Sequence, residues 1–359
     1  MATRRAVLAG LLATGLTPRM SWADAGGPAY LSAALRPDGV YVLCGIGQAG
    51  ELIFQLPLPN RGHAAAAHPD RPEAIAFARR PGRFALVIDC ARGSEIARLQ
   101  APMGRHFYGH GVFSADGSVL YTTENDYERA RGVVGLWDAA HSYRRMGEVF
   151  SGGVGPHDIL RLPGTDILAV ANGGIETHPE TGRAKLNLPD MASNLSYLAP
   201  DGDILDVVEL GSEHQLNSIR HLDVAHTGEI AFALQWQGDP SDAPPLLGLH
   251  RRDAPARLMC APDHYRLNGY AGSVAITTDG QRLGISSPRG GIVQMFDAAS
   301  TAFLAQLSEL DVCGLSQSGA DGLAFTSGQG VFGAHHGDQT NRRHVADLAF
   351  DNHLIRIAG

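Results

Sequence analysis

The chain has 359 residues, 44% of them hydrophobic and 18% charged, which supplies a sizeable core and excludes a disordered segment. Its 44 glycines follow no Gly-X-Y period, so collagen is out, and a formal net charge of −8 argues against a nucleic-acid surface. Such a glycine load suits many short strands joined by tight turns.

Residues 1–25 read as an export signal. Arg4 and Arg5 open it, an apolar run follows to Leu16, and Ala23-Asp24-Ala25 offers a small-x-small cleavage site. The run is too short to span a bilayer, and paired arginines at this place mark a twin-arginine signal. The expectation is a periplasmic protein, cut after Ala23 or Ala25, with no transmembrane segment in the mature chain. Cys44, Cys90, Cys260 and Cys313 stand far apart with no C-x-x-C pair, which leaves both disulfides and buried thiols open.

Beyond the leader the sequence repeats. Phe84–Asp89, Val133–Asp138 and Ile292–Asp297 align, and each is followed after a polar turn by another apolar run. Strand–turn–strand patterns precede two of them, Gly111–Gly117 into Val119–Thr123 and Ser273–Gly280 into Leu283–Ser286. Short strands in fours, at a period of roughly 40–60 residues, are the pattern of propeller blades. Inner strands are expected to start near Gly62, Gly109, Pro156, Arg220, Gly272 and Val312. Ala29–Pro59 and Val345–Ile357 complete one more blade between them. The expected fold is all-β, a single propeller domain over residues 26–359, with seven blades and closure by the two termini.

Superposing the inner strands exposes a histidine register. His110, His157 and His221 each lie seven residues before a turn glycine (Gly117, Gly164, Gly228), and His63 lies seven before Asp70. The same slot holds Ser273 and Val312 in the other two repeats. Equivalent strand positions share side-chain direction, so four imidazoles converge at one mouth of the channel. Imidazole is the commonest metal ligand near neutral pH, and copper, zinc and iron accept several. The second strands end at the same mouth with Glu124-Asn125-Asp126, Asn172, Gln235 and Ser287-Pro288-Arg289. Their oxygens could complete a metal shell or orient the imidazoles. The longest insertion, residues 173–187, leaves that face as a candidate lid, with His178, Arg183 and Lys185 suited to an anionic ligand.

Gly104–Gly111, Gly155–Asp158, Ala171–Ile175, Ser218–His221 and Ser287–Gly290 resemble the signature runs of a bacterial family, domain of unknown function 1513. Asp311–Gly314 and Asp351-Asn352-His353 resemble it too, while Asn217 departs from its pattern. The resemblance implies an exported seven-bladed propeller in the envelope, with iron-uptake components as partners. The leading expectation is therefore a periplasmic propeller that binds a metal ion or small ligand for iron or other metal acquisition. His63, His110, His157 and His221 are its ligands, and Glu124, Asn125, Asn172, His178, Arg183, Arg220, Gln235, Ser287 and Arg289 surround them. Two alternatives stand beside it. One is a lactonase-like metal-dependent hydrolase with Glu124 as general base; the other is an envelope interaction scaffold without catalysis.

Overall fold

The computed structural model describes residues 20–78, 83–182, 184–345 and 347–357. Among them, strand pairing makes seven antiparallel sheets. Six use four consecutive strands each, within residues 62–100, 105–150, 156–209, 217–259, 273–308 and 312–344, here blades 1 to 6. The first strand of each blade packs beside the first strand of the next, so these strands wall a central channel. The fold is the expected seven-bladed propeller. Inner strands start at Gly62, Pro156 and Val312 as read from the sequence, and at Ser273, one residue late. In blades 2 and 4 they start earlier, at Arg105 and Asn217.

Burial follows the blade geometry. The inner and middle strands are covered on both faces by neighbouring blades, so Leu168–Asn172 and Asn194–Leu198 are buried throughout. Outer strands such as Ile204–Glu209 cover one face only and alternate with solvent. Aromatic rings fill the wedge between blades 1 and 2. Phe107 lies 5.9 Å from Phe77 and 6.1 Å from Trp137, ring centre to ring centre.

The seventh blade is sewn from both ends of the chain. Tyr30–Leu35, Tyr41–Ile46 and Leu52–Leu58 supply three strands. Ala349–Phe350 and Ile355–Arg356 pair with Tyr30–Leu35 on its channel side, with Ala34 opposite Phe350 and Tyr30 opposite Arg356. Two further contacts fasten the seam. Arg61 grips the Asp351 carboxylate through two N–H donors, at 2.5 and 3.0 Å. The Ser32 hydroxyl donates to the His353 carbonyl at 2.8 Å.

The helical segments among the described residues are 3-10 turns of three or four residues, and none is long and apolar enough to cross a membrane. One of them, Trp22–Ala25, contains the expected cleavage positions. Trp22 is buried against the blades, and its indole N–H donates to the His68 carbonyl at 2.8 Å. Arg4 and Arg5 lie outside the described residues. All four cysteines are free thiols, with Cys44, Cys90 and Cys313 buried and Cys260 exposed.

Candidate metal centre

A regular ladder would turn alternate side chains of each inner strand to the channel. The ladder is interrupted where the histidines stand. In blade 1 the pairing jumps from Gly62–Ala78 to Ala65–Ala76, which leaves His63 and Ala64 opposite a single residue. Blade 2 jumps between Phe107 and Gly111, blade 3 between Pro156 and Asp158, and blade 4 between Ile219 and His221. In the closing blade the stretch 351–354 separates two short paired segments. Bulges of this kind bend the strand and re-aim its side chains, here toward the axis. Space for them is also arranged. A Cβ on Gly109, whose φ is +109°, would stand 2.3 Å from Cδ2 of His63, so only glycine lets that ring lie against blade 2.

The four register histidines do converge, and a fifth joins them. Around the axis the ring centres are 5.0 Å apart for His63–His110, 5.1 Å for His110–His157 and 4.7 Å for His157–His221. His353 closes the circle, 4.6 Å from His221 and 4.8 Å from His63. Two trios bring ligand nitrogens within 4.8 Å of one another: His63, His110 and His353, and His110, His157 and His221. Metal–nitrogen bonds of about 2.0–2.1 Å hold ligand atoms within about 4 Å, so either trio fits an ion after a small inward shift of its rings.

Electrostatics keep two of the rings in the form a cation needs. Burial, reinforced by the neighbouring His221 and Arg220, holds His157 well below the ordinary imidazole value. Burial and the adjacent His110 push His221 down to about 3, against the pull of Asp158. Both rings are neutral at pH 7 and carry a lone pair. The Nδ1 atoms of His157 and His221 and the Nε2 of His110 are buried with no hydrogen-bond partner among the described residues. The other nitrogen of His110, Nδ1, lies 2.9 Å from Asp158 Oδ1. Asp158 also accepts from the Leu222 N–H at 3.0 Å, which ties blades 2, 3 and 4 together beside the ring. Burial alone would raise the Asp158 carboxyl, yet its electrostatic coupling and hydrogen bond to His110 hold it below the usual range. A carboxylate on one nitrogen of a histidine fixes the tautomer and makes the other nitrogen a better ligand.

The layer divides the channel into two chambers. The upper one, about 440 Å³, opens on the face of the second-to-third-strand loops and has His63, His157 and His221 in its wall. The lower one, about 490 Å³, reaches His110, His221, His353, Asp158 and Asp223. Insertion 173–187 contributes Ile175, Thr177 and Lys185 to the wall of the upper chamber. It is tied down by Asn125, whose Nδ2 donates to the Thr177 carbonyl at 3.1 Å.

A profile of proteins of unknown function, DUF1513, matches residues 56–357, which include all five channel histidines. The chain belongs to the DUF1513 family. No curated protein sequence matches it significantly. Among solved structures it is similar to hydrazine synthase of Kuenenia stuttgartiensis, at 12% identity and a TM-score of 0.63, over 93% of this chain and 99% of that one. It is also similar to the Cps50 (Swd1) β-propeller domain of Myceliophteria thermophila, at 11% identity and a TM-score of 0.58, over 91% and 96% of the two chains. At such identity these likenesses establish the propeller fold alone.

Within this DUF1513 chain the other expected site residues divide. Arg220, Gln235 and Arg289 line the upper chamber with the histidines. Glu124 does not reach the mouth. It is fully buried, accepts from Arg145 through both oxygens at 2.7 and 3.0 Å, and receives the Thr122 hydroxyl at 2.8 Å. A carboxylate so buried and paired with Arg145 is out of reach of an ion or a substrate in the channel. Asn172 is likewise turned into its blade, where it bonds Ser151, Asn194 and Ser196. The Ser287 hydroxyl donates to the Leu267 carbonyl at 2.9 Å and accepts from the Gly290 N–H at 3.1 Å, within its own turn. His178 does not line the chamber; its ring meets Tyr127 edge-on at 5.1 Å and accepts from the Glu180 N–H. Arg183 lies outside the described residues. His353 was readable as a family motif residue but not as a ligand, because no turn glycine follows it to set its register.

Proposed function

We propose that this DUF1513 protein is exported to the periplasm by the twin-arginine route and binds copper, iron or zinc in its channel, for metal acquisition beside envelope iron-uptake components. The supporting observation is the circle of five imidazoles drawn from five blades, which no single strand could assemble. His110, common to both trios, would be the anchoring ligand, and Asp158 would orient it. His157 and His221 would add neutral nitrogen donors, suited to borderline cations such as these. The hydrolase reading loses its general base with the Glu124–Arg145 pair.

Titration of copper, zinc and ferrous iron into tag-free protein and a His110→Ala, His157→Ala double variant tests the proposal. The wild type should bind, and the variant should lose that binding while keeping its melting temperature within a few degrees. Equal binding by both would remove the histidines from any metal role. Export is tested separately: replacement of Arg4 and Arg5 by lysine should block it, and normal export would leave only a general secretory signal.

A further inference from the structure

The two chambers differ in charge. Lys185, the chain's only lysine, stands with Arg220 and Arg289 in the wall of the upper chamber. No aspartate or glutamate is among the described residues that line that chamber, although the chain has 37 acidic residues and a net charge of −8. A cleft lined by one sign of charge focuses the field and concentrates the opposite ion. The cations come from three separate places: the lid insertion, the inner strand of blade 4 and the loop after the second strand of blade 5. Arg289 lies on the ring of Tyr270 with its guanidinium carbon 4.5 Å from the ring centre, which holds its planar fork in one attitude. Burial and the nearby Arg220 and Arg289 lower the Lys185 ammonium below its ordinary value, the repulsion that a bound anion would relieve.

Size and wall chemistry narrow the ligand. A space of about 440 Å³ falls within the usual range of about 300–1,000 Å³ for small-molecule sites and is generous for a bare inorganic oxyanion. Tyr108, Trp236 and Tyr270 give it apolar surface for a carbon skeleton. His157 and His221, whose buried Nδ1 atoms lack partners among the described residues, belong to the same wall and join it to the histidine layer. We infer that the upper chamber binds a small organic polycarboxylate, paired with Lys185, Arg220 and Arg289, with one carboxylate directed at the histidine layer. Arginine forks and carboxylates match in bidentate geometry, which favours this class. The link from carboxylate to histidine layer rests on the metal-binding reading; the cationic wall does not.

Calorimetric titration of citrate, and of inorganic phosphate, into metal-free protein tests the assignment. The comparison variant is Lys185→Gln, Arg289→Gln, both exposed positions whose replacement spares the core. Citrate should bind the wild type more tightly than phosphate does, and at least ten times more weakly to the variant. No citrate binding, equal citrate affinity in the variant, or a preference for phosphate would each overturn the inference. Titration of copper, zinc and ferrous iron into the same two proteins reads the histidine layer separately. Unchanged copper binding in a variant that has lost citrate assigns the loss to the cationic wall. Binding of copper, zinc and ferrous iron to neither protein, with the citrate difference intact, would overturn the metal reading and leave the anion site standing.

Discussion

Five consecutive blades present a histidine to the channel, and the two that complete the ring do not. In the histidine arc every inner strand carries an interruption. In the other arc, blade 5 keeps a regular ladder from Ser273 onward, opposite Ser286. Blade 6 has a bulge too, but it carries Cys313 and Gly314. A Cβ on Gly314 would stand 2.6 Å from Thr326 Oγ1, 2.8 Å from the Leu354 nitrogen and 3.0 Å from the His353 carbonyl carbon. The bulge alone therefore does not make a ligand position; the side chain placed on it does. The small arc is what lets His221 and His353, at its two borders, close to 4.6 Å. An axis with seven large residues would have no such contraction.

The comparison can be broken most severely at the seam. A chain ended at Val345 lacks the strand that completes the ring and should give no cooperative unfolding transition by calorimetry. A melt within a few degrees of the full chain would show that the termini do not hold the fold. Next comes the link between the arc and its support. Asp158→Asn should weaken metal binding by about 10–100-fold, as losing a carboxylate behind a ligating imidazole does, with secondary structure unchanged. An unaltered isotherm would mean that His110 does not depend on Asp158. Gly314→Ala probes the small arc and should destabilise by about 1–3 kcal/mol through overpacking, read by chemical denaturation. A neutral result would show that the His353 segment can move aside.

The smallest effect is a control on histidine chemistry. His68 lies just past the strand that carries His63, yet its Nδ1 accepts from the Asp70 and Arg71 N–H groups and its Nε2 meets the Gly117 carbonyl. Burial, then the Arg71 charge, lowers its pKa below 6.5. The unfolded chain thus takes up a proton that the folded one resists. Stability from this joint is complete above 6.5 and falls as the pH drops, by at most about 1.4 kcal/mol per pH unit. His68→Gln should flatten the pH dependence of unfolding in metal-free protein by that share. The same slope in both proteins would assign the acid sensitivity to other groups.

The blades were legible because strand length, turn glycines and third-strand aspartates repeat, and six inner strands could be laid over one another. The histidine register was legible for the same reason. The bulges were not, since one extra residue in a short strand leaves the count to the next glycine unchanged when the neighbouring loop absorbs it. Glu124 and Asn172, sound by spacing, sit in regular ladders with their third strands and turn into their blades. Their partners Arg145, Ser151 and Asn194 lie about 20 residues away in sequence, on an outer strand, a loop and the start of a third strand, whose side-chain contacts the repeat does not fix. Lys185 and Arg289 were legible as charges at one face, but their meeting with Arg220 depends on the ring's curvature.

Ring closure also sets an order in time. His353 is synthesised after the other four channel histidines, and its segment is held by contacts from Ser32 and Arg61 at the seam. A growing chain can align His110, His157 and His221 as soon as blades 2 to 4 exist, but the trio of His63, His110 and His353 waits for the two ends to meet. The channel therefore carries a signature of completion. A chain cut before His353 keeps the arc from His63 to His221 but cannot close the circle of imidazoles.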